Sequence, residues 1–353
     1  METVAKTVQL HIVKMPGEVS SDRLLSVLRG AAQGFACDEV REIEEIKPGI
    51  VLFALDIGAY GINAAYTQLL ERLRRGEINL NGCIAGLVVD GGSELYTKSV
   101  ARELVLALNT CGCLFVGRPL VEATGTLHNF CIQAQAQQTD LHGAYVSAVR
   151  ELLERLCAYE KPQKDVPRLL TLHASNRRSS NTYALWEMVK KHLTGVEISE
   201  IMLRNGAVAD CEGCAYTTCL HFSERGKCFY GGVVVEEVFP ALLSCDALML
   251  LCPNYNDAVD ANMTAFINRM TGLFRTTRFY EKSVFGIVVS GYSGGDIVAS
   301  QIVSALNMNK SFQLPARFCM LETANDPGSI YHIAGIEERA QAFARAMKQH
   351  MQR

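Results

Sequence analysis

Three short segments combine hydroxyl, amide and glycine residues in ways that suit an anion and a flat ring. The first, "ASNRRSSNT" (residues 174–182), places Ser175, Ser179, Ser180, Asn181 and Thr182 just ahead of an amphipathic run. Backbone N–H groups left free at a helix start, with the helix dipole behind them, favour a phosphate there. Arg177 and Arg178 add charge-assisted donors. The same residue types also cap ordinary helices on surface turns, so both readings stay open for this segment alone. It lacks the spaced glycines of a Walker loop or a dinucleotide fingerprint, which argues against ATP or NAD as the main resident. The second segment, "CPNYND" (252–257), ends an apolar run. Pro253 stiffens its exit and Tyr255 offers an aromatic face, although Pro and Asn also build plain turns. The third, "SGYSGGD" (290–296), has glycines that either let backbone N–H groups approach a ring edge or make a flexible turn.

A cysteine run supplies different chemistry. Cys211, Cys214, Cys219 and Cys228 are spaced C-x2-C-x4-C-x8-C. Thiolates so close together can cage a 4Fe-4S cluster or, with His221, a zinc ion. Cys111 and Cys113 read as core packing, and Cys37, Cys83, Cys131, Cys157, Cys245 and Cys319 have no partner at ligand spacing.

The elements that must position these segments alternate. In the first half, strands are expected at 8–13, 50–55, 84–90 and 113–117, and helices at 21–33, 62–74, 95–109 and 141–156. Residues 160–168, with two prolines and clustered charge, read as a linker. In the second half, strands are expected at 169–173, 196–201, 247–251 and 284–290. Helices are expected at 182–193, 261–270, 297–306 and 336–351. Short β-rich runs alternating with amphipathic runs imply βαβ units and parallel sheets. "GLVVDGGSE" at 86–94 parallels "GIVVSGYSGGD" at 286–296, and 50–72 parallels 248–269 in the same order. A tandem copy of one doubly wound domain, 1–160 and 167–353, accounts for this. In such sheets ligands sit at the carboxyl ends of the strands, where all three segments fall.

Bulk properties narrow the partners. At 353 residues the chain is long for one core. A hydrophobic share of 49% and a charged share of 20% fit a soluble globular protein. A formal charge of -3 with no basic stripe gives no reason to expect nucleic acid or an anionic membrane. The apolar stretch at 247–252 is one strand long, far short of a span, and residues 1–6 contain no apolar signal region. An odd count of 13 cysteines spread through both halves fits a reducing cytoplasm.

Taken together, the three loops resemble those of NADPH-dependent FMN reductases and related multimeric flavodoxins. The resemblance covers 169–314: "ASNRRSSNT" matches a GSPRxxGNT-like first loop, "PNYNDAVDANMTAFINR" the second loop and its helix, and "SGYSGGD" the third. It implies an α/β fold of two tandem flavodoxin-like doubly wound parallel-sheet domains. It implies that Ser175, Arg177, Ser180, Asn181 and Thr182 hold the FMN phosphate. Pro253, Asn254, Tyr255 and Asn256 would line the isoalloxazine, and Ser290, Gly291, Tyr292 and Gly294 would close over its edge. Ala174, Asn176 and Thr264 depart from the usual Gly, Pro and Lys, and none of these changes removes a phosphate donor.

The resemblance further implies NAD(P)H as hydride donor. The acceptor would be a quinone, a free flavin, a nitro or azo compound, or a redox protein, and flavin sites at subunit interfaces imply a homo-oligomer. A non-enzymatic flavodoxin-like or iron-sulfur-flavin electron carrier is the alternative. Iron-sulfur relatives carry a compact cysteine cluster where this chain has 211–228, but the spacing here is looser. Clusterless loop thiols are the first reading, with the 4Fe-4S cluster and zinc as alternatives.

The amino-terminal copy has "KMPGEVSSD" (14–22) where a phosphate loop belongs, and Glu18 and Asp22 would repel a dianion. It keeps Tyr60 but no P-x-Y, so it is expected to bind no FMN. Asp56 and Glu94, at strand ends, are expected to be solvated loop residues.

Overall fold

A computed structural model of the chain describes residues 9–15, 22–40 and 42–353. The chain divides into two compact units, Met1–Glu160 and Lys161–Arg353.

The first unit runs β1 (Leu10–Met15), α1 (Asp22–Ala31), β2 (Cys37–Val40), β3 (Ile50–Asp56), α2 (Ala64–Arg74), β4 (Ile84–Asp90), α3 (Thr97–Thr110), β5 (Leu114–Ala123), α4 (Cys131–Gln137) and α5 (Leu141–Cys157). Its five strands are parallel, in the order β2-β1-β3-β4-β5. Every residue of β3 is buried, so the strand is apolar throughout rather than alternating. One face of the sheet meets α1 and α5, where Leu24, Val27 and Leu28 join Tyr145, Val149 and Leu152 in one core. β5 outruns the expected 113–117 because a bulge, with Arg118 at φ 52, lets pairing with β4 resume at Leu120.

The second unit runs β6 (Arg168–His173), α6 (Asn181–Lys190), β7 (Glu197–Met202), α7 (Tyr216–Ser223), α8 (Phe239–Ser244), β8 (Ala247–Pro253), α9 (Ala261–Phe274), β9 (Ser283–Ser290), α10 (Gly295–Ile302), β10 (Cys319–Thr323) and α11 (Ile336–Met351). Its parallel sheet has the order β10-β9-β8-β6-β7. Counted along the chain, both sheets follow the flavodoxin-like arrangement 2-1-3-4-5. The segments paired by sequence occupy matching places: β3 and β8 are the third strands, β4 and β9 the fourth. Trp186, Leu185 and Val189 of α6 pack with Ala340, Phe343 and Met347 of α11 in one apolar cluster. The helix expected at 297–306 is shorter as an α-helix and continues as a wider π turn over Val303–Met308.

The edge strands β2 and β10 and the short helices α4, α7 and α8 were not expected from sequence. Three of the four β2 residues are exposed, so β2 has no apolar pattern to read. No helix among the described residues is long and apolar enough to cross a membrane.

Candidate functional site

Loops from β6, β8 and β9 meet at the carboxyl edge of the second sheet. β6 and β8 are neighbours, with His173 opposite Leu251, and the order of the sheet reverses between them. The crevice at such a switch point is where an open α/β sheet holds its ligand.

The first loop leaves β6 at His173. Asn176 shapes it: its side chain accepts the Arg178 amide at 3.0 Å and its carbonyl the Ser180 amide at 3.0 Å. Ser180 caps α6, its hydroxyl accepting from the Tyr183 amide at 3.2 Å. Asn181 and Thr182 are the first residues of α6, and their amides have no acceptor within the helix. Ser175 is buried, and its hydroxyl has no hydrogen-bond partner. A buried hydroxyl left alone costs free energy that an incoming acceptor can recover. Together with the open helix amides, this is a donor set that fits a phosphate.

Arg177 is tethered beside this loop. Its guanidinium lies 3.6 Å from the Glu200 carboxylate and 5.4 Å over the Tyr183 ring. Glu200 also accepts from Tyr183 and Trp186, both at 3.2 Å, and from Lys190. Burial works to raise the Glu200 carboxyl, but donation from Lys190 and Trp186 outweighs it and holds the group below the usual range. His173, fully buried against Tyr183, is pushed below the usual imidazole range by burial and then by the Arg177 charge. Neither of its ring nitrogens has a hydrogen-bond partner.

The Asn181 side chain works elsewhere. It donates to the carbonyls of Ala324 and Asp326 at 3.1 and 2.8 Å and accepts the Gly328 amide at 2.9 Å. What it leaves for a ligand is its backbone N–H.

The second loop follows Pro253, the last residue of β8. Asn254 ties it to the third loop, donating to the Ser290 hydroxyl at 3.2 Å and the Ser293 carbonyl at 2.8 Å. The Asn254 side-chain oxygen is buried without a partner. Asn256 and Asp257 both sit in the left-handed region, φ 53 and 55, and the Ala258 amide closes the turn on the Tyr255 carbonyl. That turn leaves Tyr255 63% exposed at its tip. In the third loop Ser290 is buried, Gly291 packs under Asn325, and Tyr292 is 81% exposed. Gly294 at φ 81 lies so close to the second loop that a Cβ would stand 1.9 Å from the Asp257 carboxylate. The two exposed phenol rings therefore rise from loops that lock together.

Sequence reading missed the loop after β10. Its Ala324 amide bonds the Ser290 carbonyl, and Asn325 donates to the Tyr292 hydroxyl at 3.2 Å. The run "NDPG" at 325–328 is a turn signal, but it had no recognised strand before it.

Among the described residues no group of three or more His, Cys, Asp or Glu side chains is placed to hold a metal ion. The 4Fe-4S cluster at Cys211, Cys214, Cys219 and Cys228 is therefore not supported, nor is zinc. The four cysteines lie on separate stretches, an irregular segment before α7, α7 itself and the turn after it.

In the first unit, residues 16–21 of the "KMPGEVSSD" segment lie outside the described residues, Glu18 among them. Arg23 of α1 donates to Asp90 at the end of β4 at 2.6 and 3.1 Å and to the carbonyls of Gly91 and Gly125. Asp56 pairs in register with Asp90 and is buried, not solvated, and its carboxylate accepts the Gly58 amide. Glu94 is exposed, as expected, and accepts from the Thr126 hydroxyl and amide, which hold it below the usual carboxylate range.

Comparison with known proteins matches residues 167–326 to the family model of NADPH-dependent FMN reductase. About half of the chain is also similar to many solved structures, and three of them stand for the rest. They are the NAD(P)H:quinone oxidoreductase from Methanothermobacter marburgensis (14% identity, 52% of this chain, 99% of that one, TM-score 0.40), the FMN-dependent NADH-azoreductase from Bacillus anthracis (9%, 52%, 99%, 0.34) and the Trp repressor binding protein from Bacillus subtilis (17%, 50%, 96%, 0.34). No curated protein gives a significant match. Residues 167–326, the greater part of the second unit, are thus similar to the NADPH-dependent FMN reductase family.

Proposed function

We propose that the second unit binds one FMN at the carboxyl edge of its sheet and that the chain is an NAD(P)H-dependent oxidoreductase passing electrons to a small molecule or a redox protein. The observation that carries this reading is the Ser175 hydroxyl, buried without a partner in the loop that leads to the open amides of Asn181 and Thr182. When bound, the flavin accepts hydride and releases electrons, while the protein supplies binding and orientation. Ser175 and the helix amides grip the phosphate, and Arg177 adds charge from the loop rim. Asn254, fixed by Ser290 and Ser293, sets the height of the second loop against the ring. The exposed phenols of Tyr255 and Tyr292 would offer aromatic faces to the bound ring. Ser180 caps the helix and Asn181 braces the loop after β10, so both keep the donors in place. The first unit is proposed to bind no FMN; its Arg23 guanidinium pairs with the buried Asp90 carboxylate.

The test is an anaerobic titration of the FMN-loaded chain with NADPH and with NADH. Direct loss of the visible flavin bands at one equivalent supports the reductase. A flavin that binds but is reduced only by a protein or light-driven donor points instead to the electron carrier.

A further inference from the structure

All four thiols of the 211–228 run line one cavity of about 180 Å³. Arg269 and Arg275, at the carboxyl end of α9, line the same cavity. Arg275 lies 4.5 Å over the ring of Tyr216, and its Nε donates to the Cys219 sulfur at 3.2 Å, one turn along α7. Arg269 is 3% exposed; one of its terminal nitrogens donates to the Gly231 carbonyl at 2.8 Å, but its Nε has no acceptor. Cys214 and Cys228 line this cavity together with Tyr230. Cys214, Cys219 and Cys228 are half-buried.

Thiols beside an arginine and open to solvent are the reactive ones, and redox-sensitive cysteines keep a resolving thiol nearby. We propose that this cavity is a thiol-oxidation site for a small hydroperoxide, with Cys219 as the attacking sulfur and Cys214 or Cys228 as its resolving partner. With hydrogen peroxide, the Cys219 sulfur attacks one oxygen, the S–O bond forms as O–O breaks, and the leaving hydroxide takes up the proton given up by the Cys219 thiol and departs as water. Arg275 and the unsatisfied Arg269 Nε stabilise the charge on the departing oxygen. The thiol of Cys214 or Cys228 then attacks the sulfenic sulfur: S–S forms, S–O breaks, and the second hydroxide takes the proton of that thiol. Two electrons pass from the two sulfurs to the peroxide, and two waters leave. Nothing in these steps depends on the flavin.

The experiment treats the full chain with one equivalent of hydrogen peroxide and maps the products by mass spectrometry with dimedone and thiol-blocking reagents. The expected product links Cys219 to Cys214 or Cys228. With both partners changed (Cys214→Ser, Cys228→Ser), dimedone should label Cys219 at least about tenfold faster than exposed Cys37. Arg275→Met should slow that labelling about tenfold and Arg275→Lys should restore most of it. Equal labelling of Cys219, Cys37 and Cys211 would overturn the proposal. So would an unchanged rate in Arg275→Met, or stoichiometric iron or zinc held by these thiols in anaerobically purified protein.

Discussion

The side-chain oxygen of Asn181 accepts the Gly328 amide at 2.9 Å, joining the first residue of α6 to the loop that follows β10. Its amide nitrogen completes the brace on the carbonyls of Ala324 and Asp326. Ser175, six positions earlier, has no such partner. The two residues therefore divide the labour: one holds the rim together and the other is left for a ligand.

This division predicts opposite behaviour for two alanine variants. Asn181→Ala leaves the Gly328 amide and two carbonyls without their partner, which costs about 1–3 kcal/mol of stability. Urea unfolding followed by circular dichroism checks it. Ser175→Ala removes nothing from the protein and should stay within about 0.5 kcal/mol of wild type.

Ser175→Ala should instead weaken FMN binding. A hydrogen bond to a charged phosphate contributes about 1.5–3 kcal/mol, so the dissociation constant should rise about ten- to hundredfold. Quenching of flavin fluorescence on binding measures it directly.

How much of this was legible in the sequence follows from where each signal lies. The central strands β3 and β8 read clearly because both faces are covered and nearly every residue is apolar. Edge strands β2 and β10 did not, since water or loops cover one side and their patterns carry charge. The residue types of the three loops were visible, and so was the turn chemistry of 254–257. The brace by Asn181 was not, because its partners lie more than 140 residues downstream. Nor does the spacing of the cysteines reveal whether four sulfurs converge on one point or line a cavity wall.

Gly294→Ala tests the junction of the second and third loops. The new Cβ would meet the Asp257 carboxylate and the Asn254 amide while the backbone stays at φ 81. Strain of about 1–3 kcal/mol should push the loops apart. Binding of the flavin ring should weaken, measured as a loss of affinity for riboflavin as well as for FMN.

His350 gives stability a pH dependence. Its Nε2 lies 2.8 Å from the Ser283 hydroxyl, and burial, with a smaller contribution from Lys161, pushes the imidazole down to about 4. The unfolded imidazole titrates near 6.5. Between those values the unfolded chain takes up a proton that the folded chain refuses, so stability falls as pH drops from about 6.5 towards about 4. The loss attributable to this group is about 3 kcal/mol at pH 4. The difference in unfolding free energy between wild type and His350→Gln, followed across pH 4–8, should reproduce that slope and be flat above about 7.

In the first unit, Arg23→Met leaves the Asp90 carboxylate buried without its cation. Breaking a buried pair from one side costs about 3–5 kcal/mol. Burial already raises Asp90 above the usual carboxylate range even with Arg23 in place. Without Arg23 it should rise further, so the penalty is full at neutral pH and shrinks in acid as Asp90 takes up a proton. Urea unfolding at two pH values distinguishes this from a simple packing loss.

The grip on the phosphate is tested most directly by calorimetric titration of the flavin-free chain with FMN and, separately, with riboflavin. One FMN per chain should bind, with riboflavin weaker by at least about a hundredfold because it has no dianion for Ser175 and the helix amides to hold. Equal affinity for the two flavins, or no uptake of FMN at micromolar concentration, would contradict the account.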